Sequence, residues 1–180
     1  MKNRSVTRFF SIAIVAACFA GAAQAKTENA APFGIEIGGS CKDALTKMGP
    51  TVLSDAFGDA IHTAKNPGAL FPGASEVFIR CEGEDVLALQ FSAPKGFGNP
   101  EARSVYLTLS KLYKRVEGSQ IPEVGSGYAR FVKGSNVIEI GAPHLNPNFT
   151  VVYYTKRFYD GLTEFAKKKA KATSTSKANL

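Results

Sequence analysis

The fold class of this 180-residue chain is decided by one stretch: EVFIRC (Glu76–Cys81), EGED (Glu82–Asp85) and VLALQF (Val86–Phe91). Its two outer runs are rich in apolar, β-branched and aromatic residues, and the run between them is acidic and contains a glycine. This pattern is typical of two antiparallel strands joined by a hairpin turn. The stretch therefore predicts a sheet made of hairpins.

A second group of strand-like segments lies further along the chain. It begins at Gly127–Val132, turns at Lys133–Asn136 and continues through Val137–Ile140 and Phe149–Tyr154. The turn contains glycine, serine and asparagine, which are residues that hairpin turns favour. The two groups together predict antiparallel meanders.

Three helices are predicted around these strands. The first begins at Ser40, where Asp43 takes the acidic position of a capping box, and ends at Gly49. The second follows Pro100 and has one apolar stripe: Val105, Leu109, Leu112 and Val116. The third begins near Thr155 and has one apolar face: Phe158, Leu162, Phe165 and Ala166. Such stripes predict helices that pack against the sheet.

The remaining segments carry weaker signals. Gly34–Ile37 alternates as a strand does, Thr51–Leu53 fits a short strand, and the rest of 51–75 reads as a turn-rich loop. The order of elements predicts an α+β fold, with one antiparallel sheet and helices packed on one face. An echo between Gly83–Leu89 and Gly134–Ile140 would be explained by two tandem helix-plus-meander units, although hairpins also resemble one another by chance.

The first 25 residues are predicted to be a signal peptide. Lys2, Arg4 and Arg8 precede the apolar run Phe9–Ala20, and Ala23–Ala25 has the small-x-small pattern of a cleavage site. The run is short for a membrane span. The mature protein would then be residues 26–180, located in a bacterial periplasm or secreted.

Cys18 leaves a second interpretation of the leader open. Val15–Cys18 resembles a lipoprotein signal box, in which the cysteine is lipidated and becomes the N-terminus. Phe19 fits that box poorly. Under this alternative the protein is a lipoprotein anchored through Cys18.

The charge lies at the two ends of the chain. Of the formal net charge of +7, the leader carries three charges and the lysines of 167–180 carry five, which leaves −1 for 26–166. We therefore expect 26–166 to form a single α+β domain and 167–180 to be a basic, disordered tail. The nearly neutral domain argues against nucleic-acid binding, which requires basic residues across the folded surface.

Two cysteines remain after the leader, Cys41 and Cys81. In an oxidising compartment such a pair predicts a disulfide. A redox-active pair usually has Cys-x-x-Cys spacing, which is absent here. The cysteines, together with His62 and His144, also lack the spacing of a metal site. We predict neither a metal nor a cofactor.

The segment Ile37–Pro50 resembles a pattern in small exported domains, namely the BamE-like outer-membrane assembly lipoproteins and the β-lactamase inhibitor proteins that share their fold. The matching positions in this chain are the following: Gly38, Ser40, Ala44, Met48 and Gly49. The resemblance covers about 14 residues and implies a small layered domain, in a single or doubled form. It also implies protein–protein contact and not catalysis, and it transfers no functional residue.

Catalytic motifs are weak throughout the chain. Gly125–Gly127 lacks the spacing of a nucleophile elbow, and the acidic residues of Glu82–Asp85 read as a solvated hairpin tip. Ser40 follows two glycines at a helix start, but the full phosphate-loop pattern is absent. We therefore predict that the protein is not an enzyme.

Two groups of residues are predicted to contact partners. Tyr153 and Tyr154 are neighbours on a strand and must face opposite sides of the sheet, so one of them is a candidate for an exposed anchor. Lys167, Lys168 and Lys169 begin the basic tail. Three roles are open for these lysines: a solvated helix end, weak contact with an anionic membrane surface, or contact with an acidic partner.

These observations favour an exported, non-enzymatic domain that binds another envelope protein as a scaffold, assembly factor or inhibitor. A carrier of a small molecule or lipid headgroup is the first alternative, and an unrecognised enzyme is the second. A carrier would have an enclosed apolar cavity. An enzyme would bring His62 or His144 together with carboxylates in a cleft.

Overall fold

The computed structural model describes residues 29–56 and 59–177, so the predicted leader with Cys18 lies outside the described residues. The helices are the following: α1 (Cys41–Met48), α2 (Pro67–Leu70), α3 (Pro100–Leu112) and α4 (Lys156–Lys177). The strands are the following: β1 (Thr51–Ala56), β2 (Asp59–Ala64), β3 (Glu76–Glu82), β4 (Asp85–Pro94), β5 (Lys114–Arg115), β6 (Gly127–Lys133), β7 (Asn136–Ala142) and β8 (Asn148–Thr155).

All eight strands form one antiparallel sheet in the order β1-β2-β3-β4-β8-β7-β6-β5. The predicted α+β class is therefore confirmed. A helix followed by four strands occurs twice: α1 precedes β1 to β4, and α3 precedes β5 to β8. The last strands of the two units pair at the centre of the sheet, where Phe91 lies opposite Val151.

The echo between the two hairpins does not mark equivalent strands of these units. It aligns the β3–β4 turn at Gly83 with the β6–β7 turn at Gly134. The sheet order instead makes β3 and β4 equivalent to β7 and β8. Both turns use a glycine with positive φ, and this shared requirement explains the similarity.

The core lies between one face of the sheet and helices α1 and α3. Phe91, Phe131 and Phe149 are the largest side chains buried there. Burial of each contributes about 1.5–3 kcal/mol. Met48 of α1 and Leu109 of α3 belong to the same cluster.

The first segment of the chain is not the strand that Gly34–Ile37 suggests. Pro32–Gly34 forms a 3-10 turn in which Phe33 and Gly34 have φ of 55° and 75°. Two consecutive positive φ values prevent extended backbone. Ile35 and Ile37 are fully buried all the same, which accounts for the alternating pattern.

The segment predicted as a turn-rich loop contains β2, which pairs with β1 and β3. The sequence signal for β2 is weak because Ile61 is its single large apolar residue, and Ala60, His62 and Thr63 around it are small or polar and half-buried. β1 confirms the strand suggested at Thr51–Leu53 and extends it to Ala56.

The helix ends follow the predicted signals at both ends of α1 and at the starts of α3 and α4, but the end of α3 differs. The Ser40 hydroxyl accepts a 3.3 Å hydrogen bond from the Asp43 N–H, and Gly49 caps the other end with φ of 77°. α3 stops at Leu112, four residues before the end of its predicted stripe, and Leu112 is exposed.

α4 differs from the prediction in two respects. It continues through Lys167, Lys168 and Lys169 to Lys177, where a disordered tail was expected, because alanine and lysine favour helix. Leu162 and Phe165, expected to pack on the sheet, are exposed, and the ring contacts of α4 with the sheet come from Phe158 and Tyr159 in its first turn.

Candidate interaction surface

One face of the sheet is left uncovered by α1 and α3, and we call it the open face. Side chains alternate along each strand, so the neighbours of core residues point to this side. The partly exposed residues on this side are the following: Phe78, Arg80, Gln90, Ser92, Tyr128, Arg130, Val132, Glu139, Thr150, Val152 and Tyr154. Ala88 and Val137 point to the same side but are buried. The core side of the same strands is almost fully buried, so the two faces differ sharply in exposure.

Three side chains on β6 and β7 form a cluster on the open face. Arg130 Nε lies 3.0 Å from Glu139 Oε1, and Arg130 Nη2 donates to the Tyr128 hydroxyl at 2.6 Å. The Tyr128 hydroxyl also donates to Glu139. Arg130 and Glu139 are opposite each other in the strand register. Each polar group thus holds the others in place.

The first turn of α4 packs against this cluster. The Arg130 guanidinium lies 5.1 Å from the centre of the Tyr159 ring and 5.5 Å from that of Tyr128. Tyr159 and Phe158 both contact Tyr154 on the sheet. Cation–π contacts and aromatic pairs are each worth about 0.5–1.5 kcal/mol. The strands β6 and β7 and the first turn of α4 therefore both restrict the side chains of the cluster.

The phenols of this surface are neutral at physiological pH. Burial, followed by the hydrogen bond to Glu139, raises the pKa of Tyr128 well above its usual value. Burial, with the nearby charge of Glu139, raises the pKa of Tyr154 to about 12. The three-residue cluster therefore carries no net charge, because the positive charge of Arg130 is paired with the negative charge of Glu139 and the Tyr128 phenol is neutral.

The structure separates the two tyrosines that the sequence singled out. Tyr154 is half-buried on the open face beside α4. Tyr153 faces the core, is 4% exposed and has its pKa raised by burial. Of the two candidates, Tyr154 is therefore the one on the open face, and Tyr153 is not an exposed anchor, because its side chain is buried on the core side of the sheet.

The predicted disulfide between Cys41 and Cys81 is confirmed, with Cα atoms 6.1 Å apart. It joins the first turn of α1 to β3. The His62 ring lies beside it, and the three potential ligand atoms are within 4.8 Å of one another. The two sulfur atoms form a disulfide bond with each other, so neither is available as a thiolate to bind a metal ion. His144 lies apart from this group, in the loop after β7, where its backbone N–H donates a hydrogen bond to the Ser126 hydroxyl.

An apolar groove of about 490 Å³ lies on the other side of the sheet, along α3. Phe33 and Phe71 line one side of it, and Val105 and Leu112 line the other. Tyr153 lies at its base. The groove is open to solvent and is not an enclosed cavity.

Sequence reasoning missed Tyr128, Arg130 and Glu139. A signal for them existed in the turn between Lys133 and Asn136, since a two-residue hairpin loop fixes the pairing of its strands. Counting back from that turn places Arg130 opposite Glu139, as observed. The contact with Tyr159 had no such signal because it depends on the angle of α4.

Comparison with known proteins identifies no relative: no protein family, curated protein or solved structure matches the chain. The resemblance of Ile37–Pro50 to BamE-like domains thus stays a prediction. Among residues 29–56 and 59–177, no helix is both long and apolar enough to cross a bilayer.

Proposed function

We propose that this protein is an exported, non-enzymatic domain that binds another protein of the cell envelope through the open face, as a scaffold, assembly factor or inhibitor. The observation that supports it is the cluster of Tyr128, Arg130 and Glu139, which lies on the open face at the edge of the area covered by the first turn of α4. Tyrosine and arginine are the residues that most often dominate binding energy at protein interfaces.

Order in the unbound state strengthens this proposal. A side chain that is already fixed loses less conformational entropy when a partner binds. Arg130 is fixed by Glu139, Tyr128 and Tyr159, while Tyr128 remains 46% exposed and available for contact. The export part of the proposal rests on the leader and on the disulfide between Cys41 and Cys81, which suits an oxidising compartment.

Site-specific photo-crosslinking in cells tests the proposal. A photoreactive phenylalanine analogue would replace Tyr128 on the open face or, as the matched control, Leu107, which is 57% exposed on α3 on the opposite side. We expect one crosslinked protein from position 128 and none from position 107. The same product from both positions, or none from 128, would count against the open face as the binding surface.

The apolar lining of the groove along α3 supports a second candidate function, binding of an apolar small molecule in an open groove and not in an enclosed cavity. A Val105→Trp substitution would fill the groove, and Val124→Trp, at an exposed position outside its lining, is the control. If the protein is a carrier, the first variant loses binding of an apolar fluorescent dye and the second retains it. Equal dye binding by both variants would exclude the groove as the ligand site.

A further inference from the structure

We propose that α4 lies on the surface of an anionic phospholipid membrane, with its apolar side in the interface and its lysines at the headgroups. This contact is separate from the proposed protein binding by the open face, since it uses the part of α4 beyond the sheet. It does not depend on a partner protein.

The attachment of α4 leaves most of its length outside the fold. Its 22 residues extend about 33 Å. The sheet holds it at the first turn, where the Lys156 N–H donates to the Ser135 carbonyl at 2.8 Å and Phe158 contacts Tyr154. Beyond that turn, Leu162 is 39% exposed and Phe165 is 67% exposed.

The exposed apolar residues share one side of the helix. Leu162 and Phe165 are exposed and lie in one row with the half-buried Phe158, because the three are spaced by four and three residues. The acidic residues Asp160 and Glu164 fall on the opposite side, and Asp160 pairs with Lys156 at 2.6 Å. The apolar row is therefore uninterrupted by negative charge.

The charge of α4 favours an anionic surface as its partner. Residues 156–177 carry a net charge of +5, and four lysines lie within 167–171. A basic helix with an apolar row of leucine and aromatic residues is typical of helices that lie in a membrane interface. Lysine side chains there extend along the apolar boundary to reach the headgroups. Pairing with α4 of a second copy would instead bring two such charges together.

Co-sedimentation with lipid vesicles tests the proposal. The purified protein would be mixed with vesicles of phosphatidylcholine, with or without phosphatidylglycerol, at low and high salt. The variants L162S/F165S and K167Q/K168Q remove the apolar and basic contributions of α4. Each variant has a control with the same kind of substitution elsewhere. F97S/L145S changes two exposed apolar residues in loops, and K65Q/K111Q changes one lysine in the loop after β2 and one in α3. Every variant keeps the same N-terminus, so residues 1–25 contribute equally to all.

We expect binding only to vesicles with phosphatidylglycerol, weakened by salt, and reduced about tenfold or more by each α4 variant but by about twofold or less in the controls. Equal binding to both vesicles, or α4 variants that behave as their controls, would overturn the proposal. Sedimentation velocity of L162S/F165S adds a third outcome: loss of a dimer would assign this side of α4 to a second copy instead. Crosslinking from position 128 is measured separately, so failure of one proposal does not imply failure of the other.

Discussion

The side-chain carbonyl of Asn136 accepts a 2.6 Å hydrogen bond from the backbone N–H of Ala30, a residue 106 positions earlier in the chain. The Asn136 amide nitrogen donates to the Ile37 carbonyl at 3.4 Å. Asn136 is 1% exposed and begins β7. A single buried amide thus joins the segment before α1 to the second helix-plus-meander unit.

Asn136→Ala should lower the free energy of unfolding by about 2–3 kcal/mol, because it leaves a buried N–H and a buried carbonyl without partners. Asn146→Ala is the matched control, since its side-chain oxygen also accepts a backbone N–H, but at an exposed loop position. It should cost about 1 kcal/mol or less. Urea denaturation measures both, and equal losses would contradict the importance of burial at Asn136.

Removal of the disulfide with C41S/C81S should lower the free energy of unfolding by about 4 kcal/mol. The bond closes a loop with a sequence separation of 40, and the loss follows from the greater freedom of the unfolded chain. Thermal and urea denaturation with and without a thiol reductant measure the effect. The reductant should destabilise the unmodified protein and leave the double variant unchanged; sensitivity of the double variant would point to another cause.

Arg130→Ala should lower the free energy of unfolding by about 1–2 kcal/mol, because Glu139 and the Tyr128 hydroxyl lose a partly buried partner and Tyr159 loses its cation–π contact. Arg103→Ala breaks an exposed ion pair with Glu123 and should cost about 0.5 kcal/mol or less. Losses of the same size in the two variants would show that the cluster is no stronger than a surface ion pair.

Stability should fall between pH 10 and pH 12, and Tyr154 should contribute to the fall. Burial raises its pKa from 10.0 to about 12, so in this range the unfolded chain loses the proton and the folded chain keeps it. Fewer protons bound to the unfolded state means that stability decreases as pH rises. Tyr154→Phe should make the decrease shallower in urea denaturation measured across this range. An unchanged slope would assign the effect to other phenols.

The strands that sequence predicted well are those with a buried side. β3 and β8 bury alternate residues, while β4 and β7 begin with continuous buried runs, and both patterns are visible in the sequence. β2 was missed because most of its side chains are small or polar and half-buried, and such residues leave no alternating apolar pattern. At Gly34–Ile37 the sequence predicted a strand that is absent. Its buried residues alternate as in a strand, but its backbone forms a turn.

The candidate surface was only partly accessible to sequence reasoning. Strand alternation correctly separated Tyr153 from Tyr154 but could not say which one faces the core. That choice depends on where α3 lies. The exposure of Phe165 was equally hidden, because an apolar row on a helix looks the same whether or not a sheet lies beneath it.

Neighbouring strands in the sheet are also neighbours in the chain, with the single exception of β4 and β8. Each half of the sheet can thus form from contacts between residues close in sequence, and a predominance of such local contacts speeds folding. Among the strand pairings, only that of β4 with β8 must wait for distant parts of the chain to meet. A chain cut in the connector between β4 and α3 would therefore leave two pieces, each with a complete meander, whose reunion across that central pair is a bimolecular reaction.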